Sequence, residues 1–272
     1  QVSMSSITTR MGNTTIEIDG ISKSYGGHMF IRDFSYIFLK NDRVGFVGTN
    51  GCGKTTLMKL LAGREEPDSG SVVRGRSLYI RYLSQIPEFV ESDTVLESVE
   101  RENASEPHFT SRDELLATAK NILNKLGITA HEARIGTLSG GQRKRVALAG
   151  VLLSTADLLI LDEPTNHLDS QMADWLEEYL KSFRGALLMI THDRYFLDSV
   201  TNRIVELDKG KLYSYQTNYE GYLQLKAERL DMAQATERKR QTLLRTELAW
   251  MQRGARARST KQKAHIQRFE TL

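Results

Sequence analysis

Gly48-Thr49-Asn50-Gly51-Cys52-Gly53-Lys54-Thr55-Thr56 is the stretch whose residue types and spacing most directly specify chemistry. It fits the pattern G-x-x-x-x-G-K-[ST]. The apolar run Arg43-Val44-Gly45-Phe46-Val47 precedes it, and Leu57-Met58-Lys59-Leu60-Leu61-Ala62 continues it towards Gly63. That order predicts a buried strand, a glycine loop and a helix. In such a setting glycines let backbone N–H groups wrap the phosphates of a nucleoside triphosphate, and the helix N-terminus adds partial positive charge. Lys54 reaches the β- and γ-phosphates, the Thr55 hydroxyl ligates Mg²⁺, and Gly48, Asn50, Gly51, Cys52, Gly53 and Thr56 complete the cradle. A chance lysine in a glycine turn would lack both flanking elements. Cys52 reads as a space-filler in this loop rather than a redox switch.

Two further clusters extend the chemistry. Leu158-Leu159-Ile160-Leu161-Asp162-Glu163 is an apolar strand ending in two carboxylates. Beside a phosphate loop the first can hold Mg²⁺ through water, and the second can polarise an attacking water. Leu138-Ser139-Gly140-Gly141-Gln142 opens a helix, so the Ser139 hydroxyl and neighbouring N–H groups make a second anion site. A chain that already owns one phosphate cradle has use for a second if it closes over the nucleotide of another copy.

With these motifs in this order, the sequence resembles the ABC ATPases over about residues 14–225. The resemblance implies ATP and Mg²⁺ as ligands and a second cassette as partner. It implies that Tyr25 stacks on adenine and that Gln85 senses Mg²⁺ and the γ-phosphate. Glu163 would be the catalytic carboxylate, and His192 in Thr191-His192-Asp193-Arg194 the histidine that bonds the γ-phosphate. Ser139, Gly140, Gly141 and Gln142 would meet the nucleotide of the partner. Pro164-Thr165-Asn166-His167-Leu168-Asp169 resembles the loop that touches the opposite site.

Glu163 to Asp169, Thr191 to Asp198 and Asn218-Tyr219-Glu220-Gly221-Tyr222 together resemble the ABC-F branch, with wording around Trp250-Met251-Gln252-Arg253-Gly254 similar to Uup-like members. That branch implies ribosome, rRNA and tRNA as partners. Its members carry two cassettes joined by a basic linker, so the chain is expected to be the first cassette with the start of that linker. The segment after Gln85 is short for the arm that some members insert there.

These groups need elements to position them. Ile16-Glu17-Ile18 and Phe34 to Phe38 read as strands, residues 64–77 as loop and turn, and Leu78 to Leu83 as a strand ending before Gln85. Val95 to Leu126 is helical with a break near Pro107, and Gly140 to Leu153 is a further helix. Leu158 to Leu161 and Ala186 to Ile190 are continuous apolar runs, the mark of strands buried on both faces. Ile204 to Leu207 and Lys211 to Tyr213 form a hairpin around Asp208-Lys209-Gly210. The expected fold is α/β: a P-loop nucleotide-binding domain with an antiparallel β subdomain and a helical subdomain.

Composition agrees. At 272 residues, with 40% hydrophobic and 26% charged residues, the chain can bury a substantial core. No run approaches the roughly 18 apolar residues of a membrane span. Gln1 to Ser6 lacks the apolar core of a secretory signal. One cysteine excludes an internal disulfide framework and suits a reducing compartment, so a cytoplasmic address is expected. The net charge of +3 is uneven: residues 226–272 hold 12 Lys/Arg against 5 Asp/Glu, leaving 25 against 29 in the remainder.

Three segments follow: 1–13 as a flexible tail or cloning remnant, 14–218 as the cassette, and 219–272 as a projecting basic helical hairpin that stops early. Its first arm should run from Tyr219 to Gln252, roughly 50 Å at 1.5 Å per residue. Leu244, Leu248 and Met251 would face a partner helix. Arg253, Arg256, Arg258, Lys261 and Lys263 form a cationic tip suited to RNA phosphates. The alternative reading of the hairpin is a solvated charged helix pair that only spaces two cassettes. Two rival classes use the same cassette: the ATPase subunit of a transporter, and a DNA-associated ABC ATPase. The basic hairpin argues against the first, and the lack of a long coiled coil or zinc module between the motifs argues against the second.

Overall fold

The computed structural model of the chain describes residues 14–106 and 108–252, with side-chain detail from 15 to 246. In chain order the first elements are β1 (Thr14–Tyr25), β2 (His28–Leu39), β3 (Arg43–Val47), α1 (Lys54–Leu61), β4 (Ser69–Arg74) and β5 (Ile80–Leu83). There follow α2 (Val95–Asn103), α3 (Arg112–Lys125), α4 (Gly140–Leu152), β6 (Leu158–Asp162), α5 (Ser170–Ser182) and β7 (Ala186–Ile190). The last are α6 (Arg194–Val200), β8 (Arg203–Asp208), β9 (Lys211–Tyr215) and α7 (Tyr219–Gln252).

Two sheets result. One is antiparallel in the order β2-β1-β4, and the other runs β5-β6-β7-β3-β8-β9, parallel except for β9. Every residue of β6 and β7 is buried. Each large apolar side chain so placed contributes about 1.5–3 kcal/mol. Leu158, Ile160, Leu188 and Ile190 share a core with Leu57, Met58, Leu60 and Leu61 of α1 and with Ile16, Ile18 and Ile21 of β1. The helix behind the phosphate loop is thus wedged between the two sheets. Helices α2, α3 and α4 pack on one another as a helical subdomain. The fold is the expected α/β cassette.

One expectation fails. Within 64–77, which the sequence pattern assigns to loop and turn, Ser69–Arg74 is a strand paired with β1 from Ile16↔Arg74 to Ser22↔Ser69. Its burial pattern is mostly exposed, so it lacks the apolar alternation that announces a strand, and β1 supplies the pairing. Ser22 to Tyr25 belongs to β1, and Gly26-Gly27 makes the turn into β2.

The chain divides into two units after Tyr219. In the second, the described element is α7, whose 34 residues carry mixed charge. Among the described residues no helix is long and apolar enough to cross a membrane. Residues 1–13, Pro107, the side chains of Leu248 and Met251, and the whole of 253–272 lie outside the description. The proposed tip cations Arg253, Arg256, Arg258, Lys261 and Lys263 are among them.

Candidate active site

Because β6, β7 and β3 are adjacent and parallel, their C-terminal ends share one edge of the sheet. The phosphate loop follows β3, Asp162 ends β6, and His192 lies two residues past β7. Topology therefore brings three distant segments to one cleft of about 280 Å³. Its walls include Asn50, Gly51, Gly53, Lys54, Thr55, Thr56, Gln85, Asp162, Glu163 and His192. Phe30 and Ile190 complete it.

Gly53 sits at the N-cap of α1 with φ 105°, and no side chain caps the helix. A side chain is disfavoured at that angle, and an added Cβ would lie 3.1 Å from Phe30. The Lys54 ammonium folds back on its own loop, donating to the carbonyls of Gly48 (2.8 Å) and Thr49 (3.0 Å). It therefore stands where an anionic ligand can draw it off two neutral acceptors.

Asp162 is 1% exposed and Glu163 5%. Burial raises the Asp162 pKa, against a hydrogen bond from Thr55 and the charges of Lys144 and Lys54. Burial likewise raises that of Glu163, opposed by His192, whose Nε2 lies 3.3 Å from Glu163 Oε1. Glu163 stands in the left-handed region at φ 53°, anchored by its N–H to the Ile190 carbonyl at 2.9 Å. Asp162 Oδ2 and Glu163 Oε2 are buried without a hydrogen-bond partner. Such orphaned acceptors are costly unless a ligand completes them. A divalent cation at Asp162 and Thr55, with a water at Glu163, fits that arrangement. Among the described residues no trio of His, Cys, Asp and Glu gathers into an all-protein cage. Mg²⁺ suits such a sparse site, since it keeps waters and phosphate oxygens as ligands.

Tyr25 is 42% exposed and stands outside the cleft lining. Its ring meets Phe30 edge-on at 5.6 Å, and its hydroxyl donates to Glu65. Burial, then Glu65, pushes that hydroxyl up to about 12. Phe30 links Tyr25 to the phosphate loop. It escaped the motif reading because only the β1–β2 hairpin register puts it there.

The residues from Ser139 onward fall elsewhere. Ser139 caps α4 reciprocally with Gln142: its Oγ accepts the Gln142 N–H (3.3 Å), and Gln142 Oε1 accepts the Ser139 N–H (2.9 Å). Gly140 lines a larger cleft of about 580 Å³ with Gln85, Asn166 and His167. An added Cβ on Gly141 would lie 3.1 Å from the His167 ring. Gln85 lines both clefts. The larger cleft lacks Asp162, Glu163 and Lys54, which line the smaller one together.

Lys144 also went unnoticed, hidden in a run that reads as surface charge. It is 5% exposed, and burial holds its ammonium at about 8 against the pull of Asp162 and Glu163.

Comparison with known proteins gives the family. A family model described as ABC transporter matches residues 31–166, and a second of the same description matches 205–272. The chain belongs to the ABC family of ATPases. The chain is 44% identical over 290 residues to the uncharacterized ABC transporter ATP-binding protein YfmR of Bacillus subtilis, covering 94% of this chain and 46% of that protein. It is 37% identical over 284 residues to the energy-dependent translational throttle protein EttA of Mycobacterium tuberculosis, covering 93% and 51%. Against EttA of Escherichia coli K12 the identity is 35% over 277 residues, covering 89% and 50%. These relatives are consistent with an ABC-F cassette. The chain spans about half the length of the curated relatives it matches.

In structure, the cassette resembles the ATP-binding subunit of an ABC transporter, with TM-score 0.66 and 21% identity over 75% of this chain and 90% of that one. It also resembles a dimeric ATP-binding cassette in a post-hydrolysis state with ADP and phosphate, with TM-score 0.65 and 21% identity over 74% and 98%. At that identity the likeness concerns the fold.

Proposed function

We propose that this chain binds and hydrolyses ATP as a cassette of an ABC-F protein, in which closure on a second cassette controls engagement of the ribosome. The observation that carries the catalytic part is the pair of buried, unpartnered oxygens on Asp162 and Glu163 beside Lys54 and Thr55. In this reading residues 14–218 are the cassette, 1–13 a tail and 219–272 the start of a basic helical linker.

Lys54 leaves its loop carbonyls for the β- and γ-phosphates, while Gly48 and Asn50 to Thr56 wrap them. Tyr25 stacks on the adenine. Thr55, Asp162 and Gln85 hold Mg²⁺, which when bound supplies charge neutralisation at the phosphates. Glu163, its basicity raised by burial, takes a proton from the attacking water, and His192 orients it and bonds the γ-phosphate. Ser139, Gly140, Gly141 and Gln142 serve the nucleotide of the other cassette, which accounts for their place outside the 280 Å³ cleft. ATP so shared favours the closed pair, and hydrolysis removes that bias.

The EttA relatives, named as translational throttle proteins, support a ribosomal role. The charge excess of 226–272 supports contact with rRNA and tRNA through Arg253, Arg256, Arg258, Lys261 and Lys263, in the cytoplasm. Glu163→Gln should keep nucleotide affinity within about threefold and lower turnover by at least ~100-fold. Unchanged turnover in that variant would remove Glu163 from the mechanism. Sedimentation with ribosomes, with and without a non-hydrolysable ATP analogue, tests the partner. Binding insensitive to both nucleotide and salt would oppose it.

A further inference from the structure

Lys144 lies on α4, one turn past Ser139, and its ammonium is enclosed by backbone. It donates to the carbonyls of Asp162 (2.7 Å), Gln85 (3.4 Å) and Ser84. Each acceptor belongs to a peptide that bears on the cleft. The Asp162 carbonyl is part of the peptide joining the two carboxylates, immediately before the left-handed Glu163. The Ser84 and Gln85 carbonyls are those of the peptides on either side of Gln85. A single side chain thus grips the loop of Gln85 and the end of β6 together.

The neighbouring Arg143 strengthens the same joint. Its guanidinium forks onto Glu91 at 2.7 and 2.9 Å, six residues beyond Gln85. Burying an ammonium costs free energy that a methionine of similar length would not. Packing alone therefore gives no reason for a lysine here, whereas three convergent carbonyls do.

We propose that Lys144 is a positioning residue, which sets the peptides flanking Gln85 and joining Asp162 to Glu163 so that the cleft accepts the metal-bound nucleotide. The inference rests on the assignment of Gln85 and Asp162 to the Mg²⁺ side of the site. Lys144 has no hydrogen bond to the phosphate loop and does not line the 280 Å³ cleft. Its effect should therefore fall on the magnesium-dependent part of nucleotide binding and leave the metal-free part alone. It also makes α4, whose first turn carries Ser139 to Gln142, mechanically continuous with the catalytic carboxylates.

The test measures affinity for a ribose-labelled fluorescent ATP analogue in EDTA and in Mg²⁺, for the wild-type chain, Lys144→Met and Lys144→Arg. The wild type should bind more tightly in Mg²⁺. The Met variant should lose about tenfold of that gain while its affinity in EDTA stays within twofold. The Arg variant, which retains a cation and several donors, should recover at least a third of the gain. A Met variant with the full magnesium gain overturns the proposal. A Met variant equally weakened in EDTA overturns it too, reducing Lys144 to a structural brace. A wild-type chain without any magnesium gain removes the underlying assignment of Gln85 and Asp162, and the proposal with it.

Discussion

Glu163 occupies a backbone conformation that L-residues avoid, at a typical cost of 1–3 kcal/mol, and it does so as a buried carboxylate with one oxygen unpartnered. Both features oppose folding, and both fit the proposed placement of a base at a strand end. Glu163→Gly should therefore abolish turnover while leaving the thermal midpoint equal to or above wild type. A clear fall in the midpoint would show that Glu163 is structural. Asp68 shows the opposite case, a carboxylate held well below its ordinary range at about 2. Lys23 bonds it foremost, with the N–H and hydroxyl of Ser24 adding further donors. A depressed carboxylate stabilises the fold above its unfolded pKa and loses that contribution as pH falls through the folded value. Urea midpoints should thus decline between about pH 4 and pH 2, and less steeply in Asp68→Asn.

At the scale of elements, the antiparallel sheet depends on close contact between β1 and β4. Gly70 has φ +79°, and a Cβ there would stand 2.4 Å from backbone atoms of Asp19 and Gly20. Gly70→Ala should cost at least about 2 kcal/mol, read as a drop in the denaturant midpoint. A smaller drop would mean that β4 can slide along β1. Arg43 at the start of β3 acts as a clasp: it donates to the carbonyls of Leu180, Lys181 and Phe183 at the end of α5 and to that of Val200 at the end of α6. Such termini leave carbonyls that need donors. Arg43→Met should cost about 2–4 kcal/mol without altering nucleotide affinity once folded, measurable by urea unfolding and a binding titration.

For the whole molecule, the separation of the Ser139–Gln142 turn from the 280 Å³ cleft governs the expectation. If each nucleotide needs both surfaces, an isolated cassette should bind ATP well and hydrolyse it slowly. Glu163→Gln with Mg²⁺ and ATP should sediment as a pair at high concentration and as a single chain after nucleotide removal. A single species under both conditions would show that two copies of this cassette do not pair through the turn.

The phosphate loop, the paired carboxylates and the buried strands β6 and β7 were legible from sequence, because each is a local rule of spacing or of unbroken apolarity. Strand β4 was not legible, since an exposed strand without alternation is made by its neighbour. Phe30 and Lys144 were silent for the same reason: their meaning is their contacts with residues far along the chain. Sequence alone thus determined which chemistry the chain carries and on which elements. Only the tertiary structure decided which carboxylate oxygens lack partners, where the Ser139 turn stands, and what encloses Lys144, because burial and orientation are properties of packing rather than of order.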